Sequence, residues 1–263
     1  MKSDKRITTI MKKGLHSDYL KIFIMNFMIA MLSFALLMIR GNGIFTLSND
    51  FNEQQIPFHM LANNSLKNGG FLWNWSIDLG SSFVGALGFY VLGSPFAWIS
   101  FLFPAKYYPF LVGWLYMMKY AAAGTLAYGY IKRFTSKKYA ALGAVLYAFS
   151  GFQCVNLIFH HFHDAVAFFP LLLIGYEKLA KEGKKGILAF AVFVNAFVNY
   201  YFFIQEVIFL ILYFLCREGI HLWKKRKLIG SCFAEGILGV GMAGIVFIPS
   251  VFFTMQNPDR KST

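Results

Sequence analysis

The stretch SFVGALGFYVLGSPFAWISFLFP, residues 82–104, decides how this chain is threaded. A membrane-spanning helix needs about 20 mostly apolar residues, and this stretch is long enough. If it spans, every later loop changes side. Gly85, Gly88, Gly93, Ser94 and Pro95 interrupt it, and glycine and proline are the poorest helix formers. Its aromatic residues suit a bilayer interface. The reading adopted is an interfacial or re-entrant stretch.

Loop charge supports that choice. Basic residues gather in cytoplasmic loops. Lys2, Lys5, Arg6, Lys12, Lys13 and Lys21 surround the start of the first apolar run, LKIFIMNFMIAMLSFALLMI at 20–39, and put that end inside. The run is too long for a signal-peptide core, and no small-residue cleavage site follows it. Segment 41–105 then lies outside, with Lys67 as its one Lys or Arg against Asp50, Glu53 and Asp78. With 82–104 not spanning, three later basic groups all fall inside: Lys132 to Lys138, Lys178 to Lys185, and Arg217 to Lys227. This requires 187–215 to be two short helices meeting near Asn199–Glu206. The expected spans are 20–40, 107–130, 140–158, 165–180, 187–201, 203–216 and 229–249.

Composition agrees. The 263 residues are 57% hydrophobic, 19% aromatic and 14% charged, and mean hydropathy is +0.53. Soluble domains are about 25% charged, so a soluble enzyme and a disordered chain are both excluded. The net charge of +13 reads as cytoplasmic loop charge rather than as a nucleic-acid surface. The fold class is an all-α, polytopic transmembrane bundle of about seven spans. A basic tail (1–19) precedes a membrane domain (20–250) with a long external loop (41–106), and an external tail (251–263) follows. Cys154, Cys216 and Cys232 have no metal or redox spacing.

The outer face holds the candidate chemistry. Residues 52–67, NEQQIPFHMLANNSLK, form an amphipathic helix with Phe51, Ile56, Met60 and Leu61 on one face. Asp50 precedes it, either as its N-cap or as a functional carboxylate. His160, His161, His163 and Asp164 form a dense second loop, able to hold a divalent cation or an anionic head group. The alternative is interfacial histidines with Asp164 capping the next helix. Within the apolar runs, Lys119, Glu206 and Glu235 are costly polar groups that often mark function. Asn-x-Ser at Asn63 and Asn74 is read as chance.

The order of features resembles the amino-terminal part of the YfhO family of bacterial membrane proteins. The resemblance runs from about 20 to 250 and is carried by GFLWNWSIDLGS (70–81), LGSPF (92–96), LFP (102–104), SGF (150–152), HDA (163–165), PLLLIGYEKL (170–179) and NYYF (199–202). It implies a GT-C-type glycosyltransferase fold. Such an enzyme moves a sugar from a polyprenyl-phosphate donor to an envelope acceptor, such as teichoic acid, on the outer face. It further implies Asp50 as catalytic base and Asp164 as the second acidic position. The family's aspartate normally has glycine neighbours; here it stands in Asn49-Asp50-Phe51. Family members are several times longer, so the chain is expected to be a fragment or truncated product.

That chemistry needs a base for the acceptor hydroxyl and positive charge or a metal ion for the departing phosphate. Arg40, Lys119 and the His160–Asp164 cluster are the available sources. Asp50, His160, His163 and Asp164 are the candidate metal ligands. Trp73, with its neighbour Asn74, is a candidate sugar or prenyl contact, as are His160 and His161 for substrate; an interfacial belt is the alternative for the tryptophans. The rival reading is a transporter or flippase for a lipid-linked precursor, or a non-catalytic subunit.

Overall fold

The computed structural model describes residues 2–77, 79–219 and 225–256, with side chains from Ser17 onward. Asp78 and the end of the expected tail, 257–263, lie outside the described residues. Eleven helices and one two-stranded hairpin follow in order among the described residues: α1 (Lys2–Arg40), a π-helical turn (Phe51–Gln55) running into α2 (Ile56–Asn68), β1 (Trp73–Asn74), β2 (Ser81–Ser82), α3 (Phe83–Leu87), a second π-helical turn (Gly88–Leu92), α4 (Pro95–Ser100), α5 (Tyr108–Ile131), α6 (Lys137–Ala148), α7 (Gly151–Val155), α8 (Phe162–Glu182), α9 (Ile187–Val198), α10 (Tyr200–Glu218) and α11 (Arg226–Gln256). The protein is an all-α membrane helix bundle. Ser17–Arg40, Tyr200–Glu218 and Arg226–Gln256 are long and apolar enough to cross a bilayer. Helices α5 and α8 have the length but carry buried Lys119, Asp164 and Glu177.

No single helix runs through 82–104. The Ser82 and Ser94 hydroxyls accept from Gly85 N and Ala97 N, starting new helices at α3 and α4. Gly93 passes so close to the end of α9 that a Cβ there would sit 2.2 Å from the Phe197 carbonyl oxygen. Only glycine allows that approach.

One expected span comes out differently, and 187–215 divides near where two short helices were expected to meet. Residues 140–158 are broken, because α6 ends at Ala148 and Ser150 is extended before α7 begins. The Gln153 side chain donates to the Ala148 carbonyl that the break exposes (3.3 Å). Stretch 187–215 divides at Asn199, whose side chain accepts from Phe202 N (3.2 Å) and caps α10. At 12 residues each, α6 and α9 rise only about 18 Å against a hydrocarbon core of about 30 Å.

Helix α1 lies along α5, α5 along α8, α8 along α9 and α9 along α11. Small residues let these backbones close up, as is common in lipid. An added Cβ at Gly239 of α11 would meet the Ala189 carbonyl of α9 at 2.5 Å. One aromatic core joins α1, α5 and the following loop through Phe34, Phe45, Phe51, Tyr116 and Tyr120.

The three basic groups share one end of the bundle. Arg133 pairs with Glu182 (2.5 Å), Lys137 with Asp18 (2.6 Å), and Arg217 with Glu177 (2.9 Å). Each bond ties a different helix end to its neighbour. The histidines and Asp164 occupy the opposite end.

Candidate functional site

Lys119 is the centre of that opposite end. It sits midway along α5, buried, and its ammonium has three donors. One goes to Asp164 Oδ2 (2.8 Å), one to His160 Nδ1 (2.7 Å) and one to the His160 carbonyl (2.9 Å). Ser94 Oγ donates to the other carboxylate oxygen of Asp164 (2.9 Å). Thus a lysine from α5, an aspartate from the first turn of α8 and a serine at the head of α4 form one satisfied unit. A charge pair in such a place costs several kcal/mol in desolvation unless its partners are complete, and here they are.

The relay continues outward. An ammonium can only donate, so His160 Nδ1 accepts and the ring proton lies on Nε2. That nitrogen meets His59 Nε2 and the Tyr108 hydroxyl. The His59 ring stacks on Tyr108 with centroids 4.5 Å apart. Burial, and then the Lys119 charge, hold His59 and His160 well below the usual histidine value. His161 Nδ1 donates to Gln55 Oε1 (3.0 Å), and its ring packs on Phe89 and Tyr90. Burial pushes the His161 imidazole down to about 3. All three are neutral rings at pH 7. The space among His59, Phe96, Tyr108, Tyr116, Lys119 and His160 is too tight for a water molecule.

Asp50 stands outside this packed unit. It is half-buried at the head of the turn Phe51–Gln55, and its side chain makes no capping bond. Its one side-chain hydrogen bond among the described residues is long, from Gln54 Nε2 (3.4 Å), so the N-cap reading fails. Burial, Tyr200 and the Asp50 charge together raise the Tyr90 phenol above its ordinary value. The Asp50 charge thus reaches Tyr90, whose ring packs on His161. The link to Asp164 runs through the helix that Asp50 begins: Gln55 holds His161, His59 holds His160, and Asn63 donates to the Ser100 and Phe103 carbonyls.

The other expected site residues scatter. His163 turns away; its Nε2 bonds the Asn156 carbonyl (3.1 Å), and its ring packs on Tyr116 and Tyr120. Arg40 is exposed at the end of α1, with no ion pair among the described residues. Trp73 is half-exposed and meets Trp75 edge to face. Asn74 is buried beneath it. Its amide donates to Ser65 Oγ (2.6 Å) and accepts from Ser76 N (2.8 Å), fixing the hairpin to α2. The metal candidates do not converge: no three His, Cys, Asp or Glu side chains gather around a common point among the described residues. The Lys119 ammonium fills the position between His160 and Asp164 that a cation would need.

His59, Gln55 and Ser94 were missing from the sequence-based set. Gln55, His59 and Asn63 recur every four residues, a polar stripe at helical spacing, and that stripe is the buried face. Of the expected apolar face, Phe51 is fully buried, and Ile56, Met60 and Leu61 are partly buried against the hydrophobic core, so the helix is covered on both its apolar and its polar side. A polar face turns inward here because it docks on polar groups, not on hydrocarbon.

Two comparisons with known proteins match this architecture. The family described as bacterial membrane protein YfhO matches residues 22–263. A Bacillus subtilis (strain 168) protein, described as uncharacterized protein YfhO, is 26% identical over 232 residues. That alignment covers 78% of this chain, and the chain spans about a quarter (26%) of the relative's length. No solved structure matches. With helices from α1 to α11 inside the matched region, the chain belongs to the YfhO family of bacterial membrane proteins.

Proposed function

We propose that this chain forms the donor-side membrane portion of a glycosyltransferase, taking a sugar from a polyprenyl-phosphate carrier to an envelope polymer on the outer face. The observation that carries the reading is the docking of the Asp50 helix onto the Lys119–Asp164–His160 unit through His59 and Gln55. A free carboxylate is thereby held on a rigid frame at the end of the bundle opposite the basic loops. Preorganised polar frames of this kind are what positional and electrostatic catalysis needs.

The roles separate by exposure. Asp50 is the base for the acceptor hydroxyl, because it is only partly buried and accepts just one long hydrogen bond among the described residues. Asp164 is a positioning residue, because both of its oxygens are already bonded. Lys119 supplies fixed positive charge beneath the site rather than direct phosphate contact. Trp73 and Trp75 offer amphipathic rings at the rim. The deciding experiment is a transfer assay with polyprenyl-phosphate sugars on the full-length protein and on Asp50→Asn. Full activity of Asp50→Asn removes this reading.

Glu206 favours the transporter reading. It is buried in α10, and its Oε2 has no partner among the described residues. The other two groups behind that reading have structural explanations. Lys119 is paired, and Glu235 accepts from Gly186 N (2.9 Å) and Ala189 N (3.1 Å), capping α9 from the neighbouring helix. Proton-coupled movement of a lipid-linked sugar, lost in Glu206→Gln, would decide for it.

A further inference from the structure

Helix α11 packs along α9, while α10 stands off from it. The gap between them is an apolar groove of about 910 Å³. Val207, Phe214 and Leu215 of α10 form one wall, and Cys232, Gly236 and Val240 of α11 the other. Leu215 and Ile229 mark its end at the basic pole of the bundle. Two residues beyond Leu215 stands Arg217, and just before Ile229 stand Lys225, Arg226 and Lys227. Arg217 and Lys225 are paired with Glu177 and Glu218. Arg226 and Lys227 are exposed, with no ion pair among the described residues.

We propose that this groove is a binding site for an anionic glycerophospholipid, its acyl chain lying between α10 and α11 and its phosphate on Arg226 and Lys227. The apolar walls exclude a polar ligand, and the cationic rim selects a negative head group. A second copy docking by the same face would set like charges against each other across a symmetric contact. The proposal rests on the groove and its rim, independently of any transfer reaction.

The test uses the chain in a neutral detergent, titrated with phosphatidylglycerol or phosphatidylcholine. Native mass spectrometry counts retained lipid and the oligomeric state, and thermal unfolding follows stabilisation. Phosphatidylglycerol should be retained over phosphatidylcholine. Arg226→Gln with Lys227→Gln should weaken its retention by about thirtyfold, from two surface cations. A second pair of variants fills the groove: Gly236→Leu and Gly241→Leu. An added Cβ at either glycine meets nothing within 4 Å, so the fold tolerates the change while the chain site is lost. Equal retention of both lipids, retention unchanged in the glycine variants, or a lipid-free dimer would each overturn the proposal.

Discussion

Lys119 Nζ lies 2.8 Å from Asp164 Oδ2, the two residues standing 45 positions apart in the chain and both side chains buried. Removing one partner leaves an unpaired buried charge. Lys119→Met and Asp164→Asn should each destabilise by about 3–5 kcal/mol. The double variant Lys119→Met with Asp164→Asn should cost less than the sum of the two single changes. A double-mutant cycle of unfolding in detergent measures this; additive losses would mean that the two groups do not act as a pair.

Asp50 carries little structure. Its single side-chain hydrogen bond among the described residues is the 3.4 Å bond from Gln54, so Asp50→Asn should change stability by no more than about 0.5 kcal/mol. Transfer in the full-length protein should vanish. Unfolding curves and the transfer assay, read together, distinguish a catalytic loss from a folding loss.

Acid should destabilise this end of the bundle. His59, His160 and His161 are held neutral by burial when folded, whereas unfolded histidines bind a proton near pH 6.5. Stability is therefore fully present above about pH 6.5 and is lost as pH falls toward the folded values. The slope is at most about 1.4 kcal/mol per pH unit for each histidine. Unfolding as a function of pH shows it, and His161→Asn should lower the slope by one proton's share between pH 6.5 and about 3. A flat profile over that range rejects the neutral assignment.

Orientation is open to labelling. Asn64 is exposed at the histidine end and Lys184 at the basic end. In a chain freed of its own three cysteines, Asn64→Cys should react with an impermeant reagent from outside, and Lys184→Cys only after permeabilisation. Asn63 and His161 themselves are buried and unsuitable. The reverse pattern would place the site in the cytoplasm and end the outer-face reading.

Glu235 should matter for folding alone. It satisfies two backbone donors at the start of α9, so Glu235→Ala should cost about 1–2 kcal/mol, as for a lost N-cap. Lipid retention at the groove and any transfer activity of the folded protein should stay unchanged.

Much of the fold was legible because membrane physics writes it into local composition. Long apolar runs located α1, α5, α8, α10 and α11, since each must satisfy its backbone within itself. Loop charge implied that Lys132–Lys138, Lys178–Lys185 and Arg217–Lys227 share a side, and the pairs Arg133–Glu182 and Arg217–Glu177 join those groups at one end. The break in 140–158 was not legible, because hydropathy averages over Ser150 and Gly151. Nor was the buried polar stripe Gln55, His59 and Asn63, because a polar stripe is buried only when its partner surface is polar, and here the partner is His160, His161 and two backbone carbonyls.

By itself, the sequence determined a helical membrane protein, the interrupted segment 82–104, and which residues bear charge within apolar surroundings. Tertiary structure decided what those charges do. Lys119 became the partner of Asp164 rather than an open phosphate ligand; Glu235 became a cap for α9; and Asp50 stayed only partly buried, without a capping bond. The physical reason is range. Apolar spans are specified by neighbours within about 20 residues, whereas a buried charge is stabilised only by groups brought within hydrogen-bond distance from elsewhere in the chain.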